Sequence, residues 1–222
     1  TTTTVEPTTT TTTSTTLPEE VLDADALNYI NLVGTFTEPE KVIVNQYFED
    51  LKTQGIWSKL HASYLLLKGT PEAHKWNIKD LQDTDAAFRL TYNNDIVHNN
   101  LGMNGNKVGY ANTHYNPSLD AVYGDTHLGF YSGTDTATDN QIDMGVLGAD
   151  NTQRFSIEAS YNDNFAADLY SYPVGRVSAS NADSRGFYLT SRTSNTSLKA
   201  FKDGVQLGST NTTDITGLST LP

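Results

Sequence analysis

The sequence predicts a mainly β protein, in which a two-sheet sandwich follows a short helical segment. From about residue 57 onward, short segments alternate apolar and polar residues, which is typical of half-buried strands. Clusters of Asn, Asp, Gly, Ser and Pro separate these segments, as expected for turns. Between residues 22 and 55 the apolar spacing is helical instead. We therefore divide the chain into a Thr-rich extended segment (1–20), a helical segment (21–56) and a β domain (57–222).

The helical segment contains two predicted helices with clear signals at their ends. Asp23 can cap the first helix, across ADALNYINLV, and Gly34 can end it. Thr37 and Glu40 have the spacing of a capping box at the start of the second helix, which Gly55 ends. We expect these helices to form a short hairpin.

The β domain contains eight predicted strands, which are HASYLLL, AAFRLTY, THLGFYS, QIDMGVLG, QRFSIEAS, GFYLTSR, SLKAFKD and VQLGS. The last two flank Asp203-Gly204, a dipeptide that supplies the positive φ angles of a tight type I′ turn. Many short strands with frequent turns favour two packed antiparallel sheets.

Composition excludes several classes of function. The formal net charge is −12 and Lys and Arg number only 14, so neither nucleic acid nor an anionic membrane is expected as a main partner. The chain contains no cysteine, which rules out disulfides, thiol nucleophiles and cysteine-based zinc sites. The longest apolar run, YLLL, is far shorter than the ~20 residues of a membrane-spanning helix.

One long segment resembles a known family. In the run from Gly55 to Asn94, Gly69-Thr70 is followed by HKWNIKD (74–80) and then by DAAFRL (85–90). This order of blocks resembles a segment of structural proteins from tailed bacteriophages and related viruses. Three later blocks, GYANTHYNPSL, THLGFYS and FKDGVQLG, follow the same pattern, and the resemblance covers roughly residues 21 to 215.

The resemblance implies both a fold and a role. Proteins of this kind are similar to concanavalin A-like domains of the laminin-G sort, which are antiparallel jelly-roll sandwiches. It implies a component of a virus particle, as a fibre, tail appendage or capsid decoration, that contacts other virion proteins and the host surface. A homo-oligomer, with a trimer favoured, and a host-surface glycan are the expected partners. In such proteins the chain continues past the last hairpin. We therefore expect the β domain to be incomplete at its C-terminus, or to be completed by a partner subunit.

Catalysis is not expected from the sequence. Retaining glucanases of similar fold carry two Glu residues on a Glu-Ile-Asp-x-x-Glu strand, flanking one bond. The corresponding stretch begins at Gln141 and ends at Val146, so both carboxylates are missing. Glu72 and Glu158 are the only other glutamates in the β domain, and no Asp pair has a diagnostic spacing. A bacterial surface adhesin or carbohydrate-binding module, and a glycan-cleaving enzyme of the same fold, stay as alternatives to the virion protein.

No cofactor is expected, although calcium is an alternative. Asp135, Asp139 and Asp143 lie in one acidic loop, and calcium favours such oxygen-rich turns, but the spacing matches no EF-hand. The five histidines are never two or four residues apart, so the sequence does not indicate a zinc site.

Trp57 and Trp76 could stack on a sugar ring, as aromatic side chains do in lectins. Both residues lie beside apolar segments. We therefore expect them to pack in the core.

The Thr-rich segment is predicted to be an extended assembly anchor or, alternatively, a solvated linker. Thr is β-branched and favours extended backbone, and the segment has few apolar groups with which to build a core. Ordering it would cost about 1–2 kcal/mol per residue, so neighbouring chains would have to hold it. The predicted anchor positions are Thr1, Thr4, Val5, Thr8, Thr12, Thr16 and Leu17.

Overall fold

The computed structural model describes residues 22–106, 108–135, 142–148 and 152–216. Within these ranges the protein is mainly β, as the sequence predicts. The helices are α1 (Ala24–Val33), α2 (Glu38–Thr53), α3 (Pro71–His74) and α4 (Pro117–Asp120), with 3-10 turns at Trp57–Lys59 and Asp85–Ala87. The strands are β1 (Thr91–Asn93), β2 (Val97–Asn99), β3 (Gly102–Asn104), β4 (Tyr110–Asn112), β5 (Thr126–Ser132), β6 (Met144–Leu147), β7 (Arg154–Tyr161), β8 (Asn164–Leu169), β9 (Val177–Ser180), β10 (Gly186–Ser194), β11 (Ser197–Lys202) and β12 (Val205–Asn211).

The described residues divide into two compact units. The helical unit comprises 22–63 and 78–81, and the β unit comprises 64–77 together with the described residues from 82 to 216. The helical unit contains α1 and α2, and the β unit contains all twelve strands. No helix in the described residues is both long enough and apolar enough to cross a membrane.

The two helices of the helical unit begin and end at the predicted residues. The Asp23 carboxylate accepts hydrogen bonds from the first backbone amides of α1, and Gly34 follows the helix with a φ of 69°. Thr37 and Glu40 form the predicted capping box of α2, with the Thr37 amide 2.7 Å from Glu40 Oε2. Tyr29 and Phe48 are fully buried between the helices, and their ring centroids are 6.0 Å apart.

The β unit contains two four-stranded antiparallel sheets. The order in the first sheet is β12-β11-β10-β5, and in the second it is β6-β7-β8-β9. Two smaller ribbons pair β1 with β4 and β2 with β3, also antiparallel. All strand pairs in the described residues are therefore antiparallel.

Both large sheets contribute side chains to one apolar core. Phe155, Ile157 and Phe165 come from the second sheet, and Tyr188 and Leu198 come from the first. The rings of Phe165 and Tyr188 stack across the core with centroids 5.6 Å apart and planes inclined by only 3°. Since successive side chains of a strand point to opposite faces, each sheet also has an outer face that turns away from this core.

The predicted hairpin between β11 and β12 is present, and its second strand is bent. Asp203 and Gly204 have φ angles of 48° and 81°, as a type I′ turn requires. Gly208 has a φ of 62°, and a Cβ atom there would lie 2.8 Å from the Ser178 carbonyl oxygen of β9. Asn211 Nδ2 donates to the carbonyl oxygens of Val174 and Arg176, at 2.9 and 3.1 Å. The bend thus brings β12 of the first sheet against β9 of the second.

Two predicted strands are wrong. HASYLLL forms no strand and contributes only one bridge, between Tyr64 and Asn77. Most of AAFRLTY is irregular, because a 3-10 turn precedes Phe88, whose φ of 57° is left-handed. Hydrogen bonds replace a strand ladder here: Tyr64 Oη donates to the Phe88 carbonyl at 2.5 Å, and Asn77 Nδ2 donates to the Ala87 carbonyl at 3.0 Å. Alternating apolar residues alone therefore did not suffice to form a strand.

Candidate ligand-binding faces of the two sheets

The outer face of the first sheet carries a group of large apolar side chains. In the pairing of β10 with β5, Phe187 lies opposite Tyr131 and Leu189 lies opposite Gly129. In the pairing of β10 with β11, Leu189 lies opposite Phe201. Side chains that are directly opposite in an antiparallel pair share one face of the sheet. We call the four side chains Tyr131, Phe187, Leu189 and Phe201 the aromatic face.

The aromatic face is open to solvent. Tyr131 is 71% exposed and Phe187 is 47% exposed, while Leu189 and Phe201 are half-buried. Gly129 forms its floor, since a Cβ atom there would lie 3.4 Å from both the Leu189 Cδ1 and the Phe187 Cζ atoms. The glycine therefore leaves a shallow hollow between the ends of two apolar side chains.

Polar side chains border the aromatic face on the same side of the sheet. His127, Ser191 and Lys199 form a row across β5, β10 and β11, two residues along each strand from the apolar row. Two residues along a strand correspond to about 7 Å, which is close to the width of one sugar ring. On β12, at the opposite border of the aromatic face, Gln206 lies opposite Phe201 and is exposed.

This arrangement suits a flat ligand with one apolar face and several hydroxyl groups. Aromatic rings bind such apolar faces by packing, and neighbouring polar groups fix the orientation through hydrogen bonds. Glycans have this character. The sequence had indicated only Trp57 and Trp76 as stacking residues, and the aromatic face was not predicted. The alternation in THLGFYS and GFYLTSR contained the signal, because every second residue of such a strand faces outward.

The outer face of the second sheet carries charged side chains instead. Glu158 on β7 and Asp168 on β8 are almost completely buried, at 2% and 0% exposure. Arg154 on β7 and Arg176, one residue before β9, contact these carboxylates. We call these four residues the ionic cluster.

Arg176 lies between the two carboxylates of the ionic cluster. Its Nε is 3.1 Å from both oxygens of Asp168, and its Nη2 is 2.5 Å from Asp168 Oδ2. The same Nη2 is 3.4 Å from Glu158 Oε1, and Arg154 Nη1 is 3.7 Å from that oxygen. Both guanidiniums also lie over the ring of Tyr172, at 3.6 Å for Arg154 and 4.8 Å for Arg176.

Burial dominates the titration of these carboxylates. It raises the pKa of Glu158, and the positive charge of Arg176 offsets part of that increase. It also raises the pKa of Asp168, against the hydrogen bonds from Arg176. Within the described residues, Glu158 Oε2 and the hydroxyl of Ser160 have no hydrogen-bond partner. The cluster therefore has one carboxylate held tightly by a guanidinium and a second that is only partly neutralised.

The two carboxylates lie near each other, as the carboxyl pair of a glycoside hydrolase must. Glu158 Oε1 and Asp168 Oδ2 lie 3.4 and 2.5 Å from the same nitrogen, so they are less than about 6 Å apart. Retaining glycosidases place their two carboxyl groups about 5–5.5 Å apart. This pair was not predicted, because its members are ten residues apart in sequence and meet only through the pairing of neighbouring strands.

The predicted calcium residues make other contacts in the described part of the chain. Asp135 Oδ1 accepts hydrogen bonds from the amide and hydroxyl of Ser184, at 3.1 and 3.3 Å. Asp143 Oδ2 accepts a hydrogen bond from the Ala159 amide at 2.6 Å. Asp139 lies outside the described residues. Among those that are described, no group of three or more His, Cys, Asp or Glu side chains could hold a metal ion.

The other predicted site residues that the structure describes belong to neither the aromatic face nor the ionic cluster. Trp57 is half-buried in the helical unit, where its ring centroid lies 5.4 Å from that of Phe48. Trp76 is half-buried in the β unit, with Lys75 Nζ 4.6 Å from its centroid. Val146 packs against the core and Glu72 is exposed. Gln141 and all the predicted anchor residues (Thr1, Thr4, Val5, Thr8, Thr12, Thr16 and Leu17) lie outside the described residues.

Comparison of the chain with protein-family models, with curated proteins and with solved structures gives no match. The function must therefore be inferred from the geometry of the two faces and from the sequence.

Proposed function

We propose that this protein is a structural component of a bacterial virus particle and that its β unit contacts host-surface glycans. In this proposal the two sheets belong to a jelly roll of the concanavalin A-like kind. The protein sits on the particle surface as a homo-oligomer, with a trimer favoured, and the Thr-rich segment anchors it among other virion proteins. The role requires binding and assembly and does not require covalent chemistry.

The aromatic face is the observation that supports the glycan-contact role. Tyr131 and Phe187 lie side by side and exposed, and contiguous exposed apolar side chains mark binding sites more often than scattered ones do. The bordering row of His127, Ser191 and Lys199 supplies donors and acceptors for sugar hydroxyls.

A shallow open site of this kind binds weakly as a single copy. Few side chains contact the ligand, and they are exposed before binding, so an affinity in the millimolar range is expected, equivalent to about 4 kcal/mol. A trimer on a particle would present several such faces to one cell surface. Linked sites of this kind raise the overall affinity by roughly 100-fold or more without any new contact. The proposed oligomer and the proposed ligand therefore support each other.

A glycan array followed by titration of the best ligand tests the binding role. We expect binding by the intact chain and a loss of roughly five- to tenfold in Phe187→Ala, since one stacked ring contributes about 1–1.5 kcal/mol. Tyr110→Ala is the matched control, because Tyr110 is 58% exposed and lies on the β1–β4 ribbon. Equal binding by the two variants, or no glycan bound by the intact chain, would contradict the role.

Cross-linking of purified virus particles tests the assembly role. We expect cross-links from the helical unit and from the Thr-rich segment to other virion proteins. A bacterial surface adhesin would bind glycans equally well, and its neighbours would be cell-envelope components. The identity of the neighbouring chains therefore separates these two functions.

A glycan-cleaving enzyme is the second candidate function, favoured by the short distance between Glu158 and Asp168. Burial raises the pKa of both carboxyls, which suits a general acid at neutral pH. The bidentate contact of Arg176 with Asp168 speaks against it, because this carboxylate is already engaged. Release of reducing ends from the glycans that bind, abolished in Glu158→Gln, would establish the enzyme. Intact ligand after long incubation would exclude it.

A further inference from the structure

Two histidines that are far apart in sequence contact each other in the β unit. His74 is the last residue of α3, and His98 is the central residue of β2. Their Nδ1 atoms are 3.0 Å apart, and their ring centroids are 5.1 Å apart. His74 is fully buried, while His98 is half-buried. The contact joins α3 to the β2–β3 ribbon.

Few charged groups surround the two rings. Tyr92 of β1 packs edge-on against His98, with centroids 4.6 Å apart, and its hydroxyl donates to the Pro71 carbonyl of α3. Burial and, to a smaller extent, the negative charge of Glu72 on α3 raise the pKa of the Tyr92 hydroxyl. The Glu72 carboxylate is itself paired with Lys75. In the described residues, no carboxylate forms an ion pair with either imidazole.

The short distance between the two nitrogens limits how many protons the pair can hold. One Nδ1 must donate a hydrogen and the other must accept it through its lone pair. If both rings are protonated, two N–H groups and two positive charges face each other at 3.0 Å. Since no carboxylate of the described residues pairs with either ring, the doubly protonated pair cannot keep this geometry.

The titration of the rings agrees with this geometry. Burial lowers the pKa of His74 to about 4, and the charge of His98 acts in the same direction, while the backbone carbonyl of Leu67 opposes them. Burial also lowers the pKa of His98. In an unfolded or opened segment both rings would regain an ordinary pKa of about 6.5. Between about pH 4 and about pH 6.5, protonation therefore favours the state in which the two rings are separated.

We propose that the contact between His74 and His98 is an acid-sensitive joint, which holds α3 against the β2–β3 ribbon at neutral pH and releases it on acidification. The released parts are α3 and the β2–β3 ribbon. The two four-stranded sheets keep their own core and stay folded. The proposal does not depend on glycan binding or on a virion location, since it rests only on this contact.

Hydrogen exchange on the full chain tests the joint. Exchange is measured from about pH 7 to about pH 4.5, the range in which histidines gain charge, and is corrected for the intrinsic rates of an unfolded chain. We expect protection of peptides from 71–76 and 97–104 to fall by roughly tenfold or more, because each pKa unit is a factor of ten. Peptides from β7, β8 and β10 should keep their protection.

One substitution separates the joint from general acid unfolding. His98→Asn places an amide near the position of Nδ1, where it accepts a hydrogen bond from His74 but cannot gain a proton. We expect this variant to retain protection of 71–76 at acidic pH. His127→Asn is the matched control, since His127 is exposed and lies on β5, and it should behave like the unaltered chain.

Two results would overturn the proposal. One is unchanged corrected protection of both segments across the pH range, and the other is the same loss in His98→Asn as in the unaltered chain. If His98→Asn does not fold, NMR titration of the unaltered protein decides the question. Ordinary titration of both rings near pH 6.5 would then contradict the joint, and titration of His74 well below that value would support it.

Discussion

Arg176 binds Asp168 through two hydrogen bonds, in which Nε and Nη2 of the guanidinium donate to the same carboxylate. The contact lies on a face of the second sheet where Asp168 is fully buried. A buried ion pair is compatible with a stable fold only when both charges are present. If one is removed, the other stays buried with neither water nor an opposite charge beside it.

Arg176→Gln should therefore be strongly destabilising. We expect a loss of about 3–5 kcal/mol in the free energy of unfolding, the usual cost of breaking a buried ion pair from one side. Urea unfolding at neutral pH measures it. Arg185→Gln is the control, because the Arg185–Asp183 pair is largely exposed, and screening by solvent leaves such a pair with little effect on stability. A similar small loss in both variants would mean that the ionic cluster is already hydrated.

Asp23 should contribute to the helical unit in two separable ways. Its carboxylate caps α1 and also lies 2.7 Å from Lys52 Nζ at the end of α2. Asp23→Asn keeps a capping side chain and removes the charge, so we expect a loss of about 0.5–1 kcal/mol. Asp23→Ala removes both and should lose about 1 kcal/mol more. Thermal unfolding of the two variants measures the difference, and equal losses would show that the cap contributes nothing.

The Asp23–Lys52 pair also predicts a pH dependence with a definite sign. Despite partial burial, which acts in the opposite direction, the hydrogen bonds from Lys52 and the backbone lower the pKa of Asp23. The folded state then binds its proton less readily than the unfolded state. The stabilisation that the Asp23 carboxylate contributes is therefore complete above its ordinary pKa of about 3.9, and it is lost as the pH falls below that value. Acid unfolding monitored in the unaltered chain and in Asp23→Asn should differ in this range, and identical profiles would contradict the prediction.

His74 should make stability fall at a higher pH than any carboxylate with a lowered pKa. Its pKa is about 4 in the folded protein, against about 6.5 in an unfolded chain, so the unfolded state binds more protons between these values. The contribution of His74 should lower the stability by up to about 3 kcal/mol as pH falls through this range. Chemical unfolding at several pH values measures the slope. A stability that does not change with pH across this range would contradict the lowered pKa of His74.

Two glycines should respond differently to the same change. Gly204 has a φ of 81° with nothing near its missing Cβ, so Gly204→Ala should cost only the conformational penalty of about 1–2 kcal/mol. Gly145 has a φ of 147°, and a Cβ atom there would lie 2.2 Å from the Phe155 carbonyl oxygen. Gly145→Ala must move β6 away from β7, and we expect a loss greater than about 3 kcal/mol. Comparable unfolding midpoints for both variants would be inconsistent with the pairing of these strands.

Local signals in the sequence predicted local structure well. The capping residues Asp23 and Thr37 and the Asp203-Gly204 turn depend on neighbours a few residues away, and all three are present as expected. Strand β8 was missed for a physical reason. Its sequence, NFAADL, does not alternate, because Ala166 and Asp168 are buried on one face while Phe165 and Ala167 are buried on the other.

The candidate sites depend on strand register, which the sequence does not state. Glu158 and Asp168 become neighbours only when β7 pairs with β8, and the register shifts between Glu158 and Tyr161. The contact between His74 and His98 likewise depends on the position of a four-residue helix. The virion role and the anchor remain predictions from the resemblance and from the composition of the chain.

The bend of β12 at Gly208 has a consequence for solubility. A straight strand at the edge of a sheet offers a row of unpaired amides and carbonyls, onto which another molecule can add a strand and begin to aggregate. In this protein the edge strand turns at Gly208 toward Ser178, and the Asn211 side chain ties its end to Val174 and Arg176. This edge strand of the first sheet therefore offers only short straight stretches to a neighbour. Crowded copies of the protein are less prone to add strands to one another at this edge.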